Sequence, residues 1–372
     1  MGNRQTLSIG CVIADIHFGA FDPQLQYTLL KNNFIKQIAE YPVLDYIVIA
    51  GDLYDHKMMA NSAGIMYASL FIDDVVSIAR EKGSTVILIH GTFSHDANQL
   101  VNHYHYLNDP SVDFKVIETI QFVETHGLRM LCIPELYGYP EEEYQKYLQY
   151  SGYYDLAFLH GTVKGAVYGD NVGNGRLFDI HDFRMCKGII CCGHVHVAGC
   201  YEGYITYCGS FSRYRFGEEQ EKGYLTTVLD KSNYRSYVHF NVVESPLYVT
   251  LDYDDLTQND PKAIIDYINA LQKDRGIDYL KIKFKVPISG PDKVIIDNYY
   301  RNNPKTFVEF LDVLEEKKIQ DQKNGIINSE YDFILDPKLS DFDKFVMYVN
   351  QKEGYEFITV DKLKDVLEEV IT

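Results

Sequence analysis

The sequence predicts an α/β fold, on two observations. The first two-thirds alternates apolar, strand-like runs with helical patterns, and each run ends at a glycine, aspartate or histidine. The runs "LSIGCVIAD", "LDYIVIAGD", "STVILIHG", "YDLAFLHG" and "KGIICCGH" are apolar almost throughout, as expected of strands buried on both faces. In open α/β sheets, ligands bind beyond the carboxyl ends of the strands. These strands therefore bring polar residues to one edge.

Helical periodicity fills 25–40 and 62–82, between the first three strands. After Gly193 the pattern shifts to shorter β segments, "YITYCGS", "GYLTTVLD", "SYVHFNVVE" and "LYVTLDY". The polar, turn-like "DDLTQNDP" at 254–261 marks a domain boundary. Beyond it, "KAIIDYINALQ" reads as a helix and "YLKIKFKVPI" as a strand. The closing "SDFDKFVMYVN" and "TVDKLKDVLEEVIT" read as amphipathic acidic helices. There is no internal repeat and no low-complexity segment.

Composition bounds the function. With 372 residues and 46% hydrophobic content, the chain can bury a sizeable core. No apolar run approaches the length of about 18 residues that reads as a membrane span, and the first residues do not read as a signal peptide. The seven cysteines include no Cys-x-x-Cys pair, and Cys191 and Cys192 are adjacent within a strand. They are expected to be reduced thiols packed in a sheet, which favours a cytoplasmic location. A net charge of −18 argues against nucleic-acid binding by bulk electrostatics. A polyanionic substrate would have to be held by local cations, by metal ions or by a partner.

The chemistry gathers at the strand ends. Strand one supplies Asp15 and His17, strand two Asp52, strand three the loop with Ser94, His95 and Asp96, and later strands His160, His194 and His196. The two last histidines, in "GHVH", project to one side of an extended chain. Imidazoles and carboxylates without cysteine suit Mn²⁺, Fe²⁺ or Zn²⁺, and there are too many for one ion. Asp52 is expected to bridge two ions with its two oxygens. Asp15, His17 and His196 would complete one site, and His160 and His194 would serve the other. Two ions about 3.5–4 Å apart make a phosphoester hydrolase. His95 is placed to protonate a leaving oxygen or stabilise the charged transition state, with Asp96 orienting its ring. His103 and His105 diverge on a helix, and His56, His90, His126, His181 and His239 read as structural or surface residues.

With these motifs in order, the chain resembles the calcineurin-like metallophosphoesterases over about its first 210 residues. The segment "ITYCGSFSRYRFGEEQEKGYLTTVLD", with "GDLYD", is similar to the SbcD-type DNA double-strand-break repair exonuclease subunits, a branch that includes phage recombination nucleases. The resemblance implies a two-sheet sandwich flanked by helices, with a smaller α+β capping domain and C-terminal helices. Domains are then expected at 1–253 (nuclease), 254–335 (capping) and 336–372 (partner-binding). It also implies two Mn²⁺ ions, with Mg²⁺, Fe²⁺ or Zn²⁺ as substitutes. The implied partners are DNA ends, an SbcC-type coiled-coil ATPase and a second copy of the chain. The alternatives are a stand-alone phosphodiesterase or phosphatase for nucleotides or phosphoproteins, and a non-catalytic scaffold for an ATPase on DNA.

One departure stands out. Where that family reads Gly-Asn-His-Asp, with the asparagine oxygen on the second metal, this chain has Gly91-Thr92-Phe93-Ser94-His95-Asp96. Ser94 occupies the place before His95. A hydroxyl is a weaker ligand, so the second ion is expected to bind more weakly. Arg213 and Arg215, near the expected mouth of the site, are candidate DNA contacts, with salt-bridging to Glu218, Glu219 and Glu221 as the competing reading.

Overall fold

The computed structural model describes residues 6–165, 175–201, 203–252, 260–275, 279–286, 288–301 and 305–311. Among these, one compact unit takes in 6–249 with 267–281 and 305–307. A second takes in 250–266, 282–301 and 308–311.

The first unit contains two six-stranded sheets. Its strands are β1 (Leu7–Ile13), β2 (Tyr46–Ala50), β3 (Thr85–Ile89), β4 (Asp113–Ile117), β5 (Gln121–Thr125), β6 (Leu128–Ile133), β7 (Leu156–His160), β8 (Thr162–Val163), β9 (Leu177–Phe178), β10 (Ile190–Gly193), β11 (Gly199–Tyr201), β12 (Ile205–Tyr207), β13 (Gly223–Asp230) and β14 (Arg235–Val242). One sheet has the order β14-β13-β1-β2-β3-β4, the other β11-β12-β10-β7-β6-β5, and β8 pairs with β9. β1 through β4 run parallel, as do β6, β7, β10 and β12. β13 joins β1 antiparallel.

Period-two alternation explains the layers. Along β1 and β2, Cys11, Ile13, Ile47 and Ile49 pack on the helices, and Val12, Ala14, Val48 and Ala50 face the second sheet. That sheet returns Met130, Cys132, Leu156, Phe158 and Cys191 to the shared core. Its outer residues Leu131, Ile133, Ala157, Leu159, Ile190 and Cys192 form a third cluster. The helices on the first face are α1 (Pro23–Leu30), which continues through a π turn into α2 (Lys36–Glu40), and α3 (Ala63–Lys82). A one-turn α4 (Phe93–Asp96) and a 3₁₀ stretch at Gln99–Asn108 follow β3, and α5 (Glu141–Leu148) packs Tyr144 and Leu148 on the outer face of the second sheet. The unit is thus a helix–sheet–sheet–helix sandwich, the mixed α/β architecture that the strand pattern predicts.

Asp22 caps α1 by accepting the Leu25 N–H at 2.7 Å, Ser62 caps α3, and Gly83 ends α3 in the left-handed region at φ 70°. The long apolar face of α3, including Ile65, Phe71, Ile72, Val75 and Val76, is fully or nearly fully buried.

The remaining described elements are β15 (Leu247–Leu251), α6 (Pro261–Arg275), β16 (Leu280–Phe284), α7 (Gly290–Tyr300) and β17 (Thr306–Glu309), with the strands in one three-stranded sheet. In β16, Leu280, Ile282 and Phe284 are buried and Lys281 and Lys283 are not, the alternation of a half-covered strand. The expected C-terminal helices lie outside the described residues. All seven cysteines are free thiols. Among the described residues, no helix is long and apolar enough to cross a membrane.

Candidate metal centre

The parallel strands of both sheets end at one edge, and the loops there are laced together. The N–H of Asp15 donates to Gly51 O, and those of Ile16 and His17 both donate to Asp52 O. This lacing forces unusual backbone: Asp15, His17, Asp52 and His194 all have positive φ, at 49°, 53°, 52° and 89°. Non-glycine residues rarely adopt such values, and they concentrate at functional sites. Gly51, at φ 88°, is required twice over, because a Cβ there would lie 2.1 Å from Nδ1 of His160.

Two groups of donors meet at Asp52. On one side, Nε2 of His17 lies 3.8 Å from Asp52 Oδ2 and 3.0 Å from Nε2 of His196, which is 3.9 Å from Asp15 Oδ1. On the other, Nε2 of His160 lies 3.3 Å from Asp52 Oδ2 and 3.9 Å from Glu135 Oε2, which is 3.5 Å from Nδ1 of His194. With ligand bonds of about 2.0–2.2 Å, neighbouring ligands of one ion stand about 3–4 Å apart, so the spacing in each group suits a single cation. The bridging geometry differs from expectation. Oδ1 of Asp52 accepts the Thr92 N–H at 2.6 Å, so Oδ2 alone faces both groups.

Each imidazole is held by its other nitrogen or by its neighbours, as orienting contacts around metal sites do. His160 donates from Nδ1 to Ala50 O at 2.8 Å. Nδ1 of His196 lies 3.3 Å from Glu218 Oε1, and Nδ1 of His17 lies 3.5 Å from Asp55 Oδ1 without a true hydrogen bond. Tyr214 donates its hydroxyl to Asp15 O and Ile16 O, and its ring packs edge-on to His17.

The electrostatics favour a cation. Burial pushes the Asp15 carboxyl up to about 6, against the pull of His160 and His196. Burial pulls His17 down to about 3, leaving it neutral as a metal ligand must be. His160 is raised to about 10: burial opposes its charge, but Asp52, Asp15 and Glu135 outweigh it. The negative field that keeps a proton on His160 would equally hold a divalent ion. The donor set of buried carboxylates and inward-facing imidazoles therefore fits divalent metal.

Three sequence expectations change. Ser94 does not reach the cluster: it is exposed on the first turn of α4, and Thr92, the N-cap residue, faces inward instead. Asp96 does not orient His95. Its buried carboxylate accepts the N–H groups of Gly91, Asp52 and Tyr54, tying the loops after β2 and β3 together, and the Asp55 carbonyl accepts the His95 Nδ1–H. His95 itself lines the cleft with His17, Asp52, His194, His196 and Arg215. Arg213 does not line the cleft: its guanidinium donates to the carbonyls of Glu219 and Gln220. Arg215 does line it, largely exposed, with Nε 3.2 Å from Glu218.

Sequence reasoning missed Glu135, Thr92 and Asp55, and it read Glu218 only as an ion-pair partner of the arginines, which it is for Arg215, without its contact to His196. For Glu135 the signal was present: "LRMLCIPE" is another apolar run ending in a polar residue, and it forms β6. For Glu218 it was the "FGEEQEKG" segment, in which buried Lys222 pairs with Glu218 at 3.2 Å and donates to His196 O.

The fold and the donor set define an α/β protein with a histidine- and carboxylate-rich cluster suited to divalent metal. No family model matches the chain. Among curated proteins it is similar to the D component of Nuclease SbcCD from Staphylococcus epidermidis, 26% identical over 329 residues, spanning 72% of this chain and 85% of that protein. Among solved structures, one crystal structure matches 63% of this chain and 99% of its own at 13% identity and a TM-score of 0.41. A solution NMR structure of a Thermotoga maritima protein matches the same shares at 12% identity and a TM-score of 0.28.

Proposed function

We propose that the chain is a metal-dependent DNA nuclease, the phosphoesterase subunit of an SbcCD-like complex that processes DNA ends in recombination and repair. The observation that carries this reading is the pair of donor groups meeting at Asp52 Oδ2, beside a histidine that holds no place in either group. The similarity to a nuclease component over 72% of the chain supports the choice of DNA as substrate.

Asp15, His17, Asp52 and His196 would hold one Mn²⁺, and Asp52, His160 and His194 the other. Bound there, two such ions supply an activated water and neutralise charge on the phosphodiester. The chain's own residues do the rest. His95 donates its Nδ1–H to the Asp55 carbonyl, so it acts as a general acid in the doubly protonated imidazolium form, whose second proton, on Nε2, goes to the leaving oxygen. Arg215 at the cleft supplies local positive charge to a strongly acidic chain. Gly161, after His160, is held by the Tyr207 hydroxyl at 3.0 Å, which steadies the strand end.

In this reading 1–253 is the nuclease domain, 254–335 a capping domain, and 336–372 a segment that grips a coiled-coil ATPase in the cytoplasm. The nuclease pairs with a second copy of itself. The test is cleavage of a linear DNA duplex with Mn²⁺, set against a small chromogenic phosphodiester. Cutting of DNA that requires metal is the expected result. Turnover of the small diester alone would favour a stand-alone phosphodiesterase, and no turnover of either would favour a scaffold.

A further inference from the structure

A second ion beside Asp52, His160 and His194 needs an oxygen donor that the loop 91–96 does not offer. Ser94 is exposed, and the Thr92 hydroxyl lies 2.8 Å from Glu135 Oε2 as a hydrogen-bond donor. We propose that Glu135 is that donor, a carboxylate ligand of the second ion in place of a neutral amide. The inference rests on the metal-dependent reading above.

Register supplies the placement. β6 and β7 run parallel with Ile133 opposite Leu159, so their ends deliver Glu135 and His160 side by side. The Glu135 side chain is only 6% exposed. Its ion-pair contacts are the imidazoles of His160 and His194, at 3.9 and 3.5 Å. The Tyr137 hydroxyl donates to Oε1 at 3.1 Å, which leaves Oε2 turned toward the two histidines and Thr92. A carboxylate drawn out of water, with two ring nitrogens at ligand spacing, is stabilised better by a divalent cation held between them than by the single charge of a protonated His160 beside a neutral His194. Glu135, His160 and His194 offer donor atoms that all lie within 4.8 Å of one another.

The assignment makes the two halves of the site equivalent in charge. Each has one carboxylate of its own, Asp15 or Glu135, two imidazoles, and a share of Asp52. The weaker second ion expected from the missing asparagine is therefore replaced by two ions of similar affinity.

The test is calorimetric Mn²⁺ titration of the full chain, with electron paramagnetic resonance to read spin coupling between paired ions. The wild type should bind two ions with affinities within about tenfold and show a coupled signal. E135A should retain one ion, weaken the second by about 100-fold, the upper scale for perturbing a metal's ligand shell, and lose the coupling. E135Q, which keeps an oxygen and the side-chain shape, should fall between them and guards against a folding defect in E135A. Melting in chelator checks that each variant folds. An E135A that binds its second ion as the wild type does would overturn the assignment, as would a wild type that binds fewer than two. A wild type that binds two ions through Glu135 but cuts no DNA would overturn the nuclease reading and leave this assignment standing.

Discussion

Asp52 accepts the backbone N–H of Thr92 at 2.6 Å through Oδ1 and turns Oδ2 toward both His17 and His160, one from each donor group. A single oxygen is thus left facing both groups of candidate ligands, and its charge is held in the ionised form. Burial opposes that charge, but His160 and His17 outweigh it and keep the carboxyl below its usual range. Asp52→Asn keeps an oxygen for the Thr92 N–H but removes the charge between the ions. It should lose both ions together and reduce DNA cleavage to background. Metal content by mass spectrometry of the purified variant, read beside the rate, checks this. A variant that keeps one ion would show that Asp52 does not bridge.

His95→Ala should leave metal content and DNA affinity nearly intact while turnover drops by roughly 10²–10⁴-fold, the usual scale for losing a general acid. The comparison with Asp52→Asn must be made at saturating Mn²⁺. Loss of metal from His95→Ala would make it a ligand, through the grouping with His17 and Asp55 that its position also allows.

Ser94→Ala should change neither Mn²⁺ stoichiometry nor affinity by more than about twofold, because an exposed hydroxyl at the surface contributes little. Calorimetry on this variant separates position before His95 in the sequence from position beside the ions in space.

Glu218→Ala should act at two levels. Lys222 is almost fully buried, with Nζ 3.2 Å from Glu218 and 2.7 Å from Ser210 Oγ. Removing Glu218 strands that cation, and breaking a buried pair costs about 3 kcal/mol or more. It also frees Nδ1 of His196, so affinity for the ion on that side should fall by about 10-fold. Denaturant melts in chelator report the first effect and Mn²⁺ titration the second. The double variant with Lys222→Met should recover stability without recovering metal affinity.

Chelation should lower the melting temperature of the wild type. A ligand present at 100 times its dissociation constant stabilises the folded state by about 2.7 kcal/mol per site, and chelator removes that term. Asp52→Asn, with no ions to lose, should melt at the same temperature with or without chelator, and a shift in that variant would locate metal elsewhere.

The sequence by itself determined the α/β class, the central strands buried on both faces and most of the residues gathered at the cluster. A strand covered on both faces must be apolar throughout, so β1, β2, β3, β7 and β10 announce themselves, and the polar residues that end them cannot continue inside a sheet. Residue type then limits the chemistry: Asp15, Asp52, His160, His194 and His196 can do little else together as well as they can hold cations. Tertiary structure decided which oxygens and nitrogens face one another. Ser94 and Thr92 are two residues apart in one loop, and only the turn of α4 determines that Thr92 points in and Ser94 out. Asp96 is a plausible partner for His95 by adjacency, yet three N–H groups from separate loops claim its carboxylate first. Glu135 is 25 residues from His160 and 59 from His194, a separation over which no periodicity connects them. The parallel pairing of β6 with β7, and of β7 with β10, brings them to one edge because hydrogen-bond register acts across strands rather than along the chain.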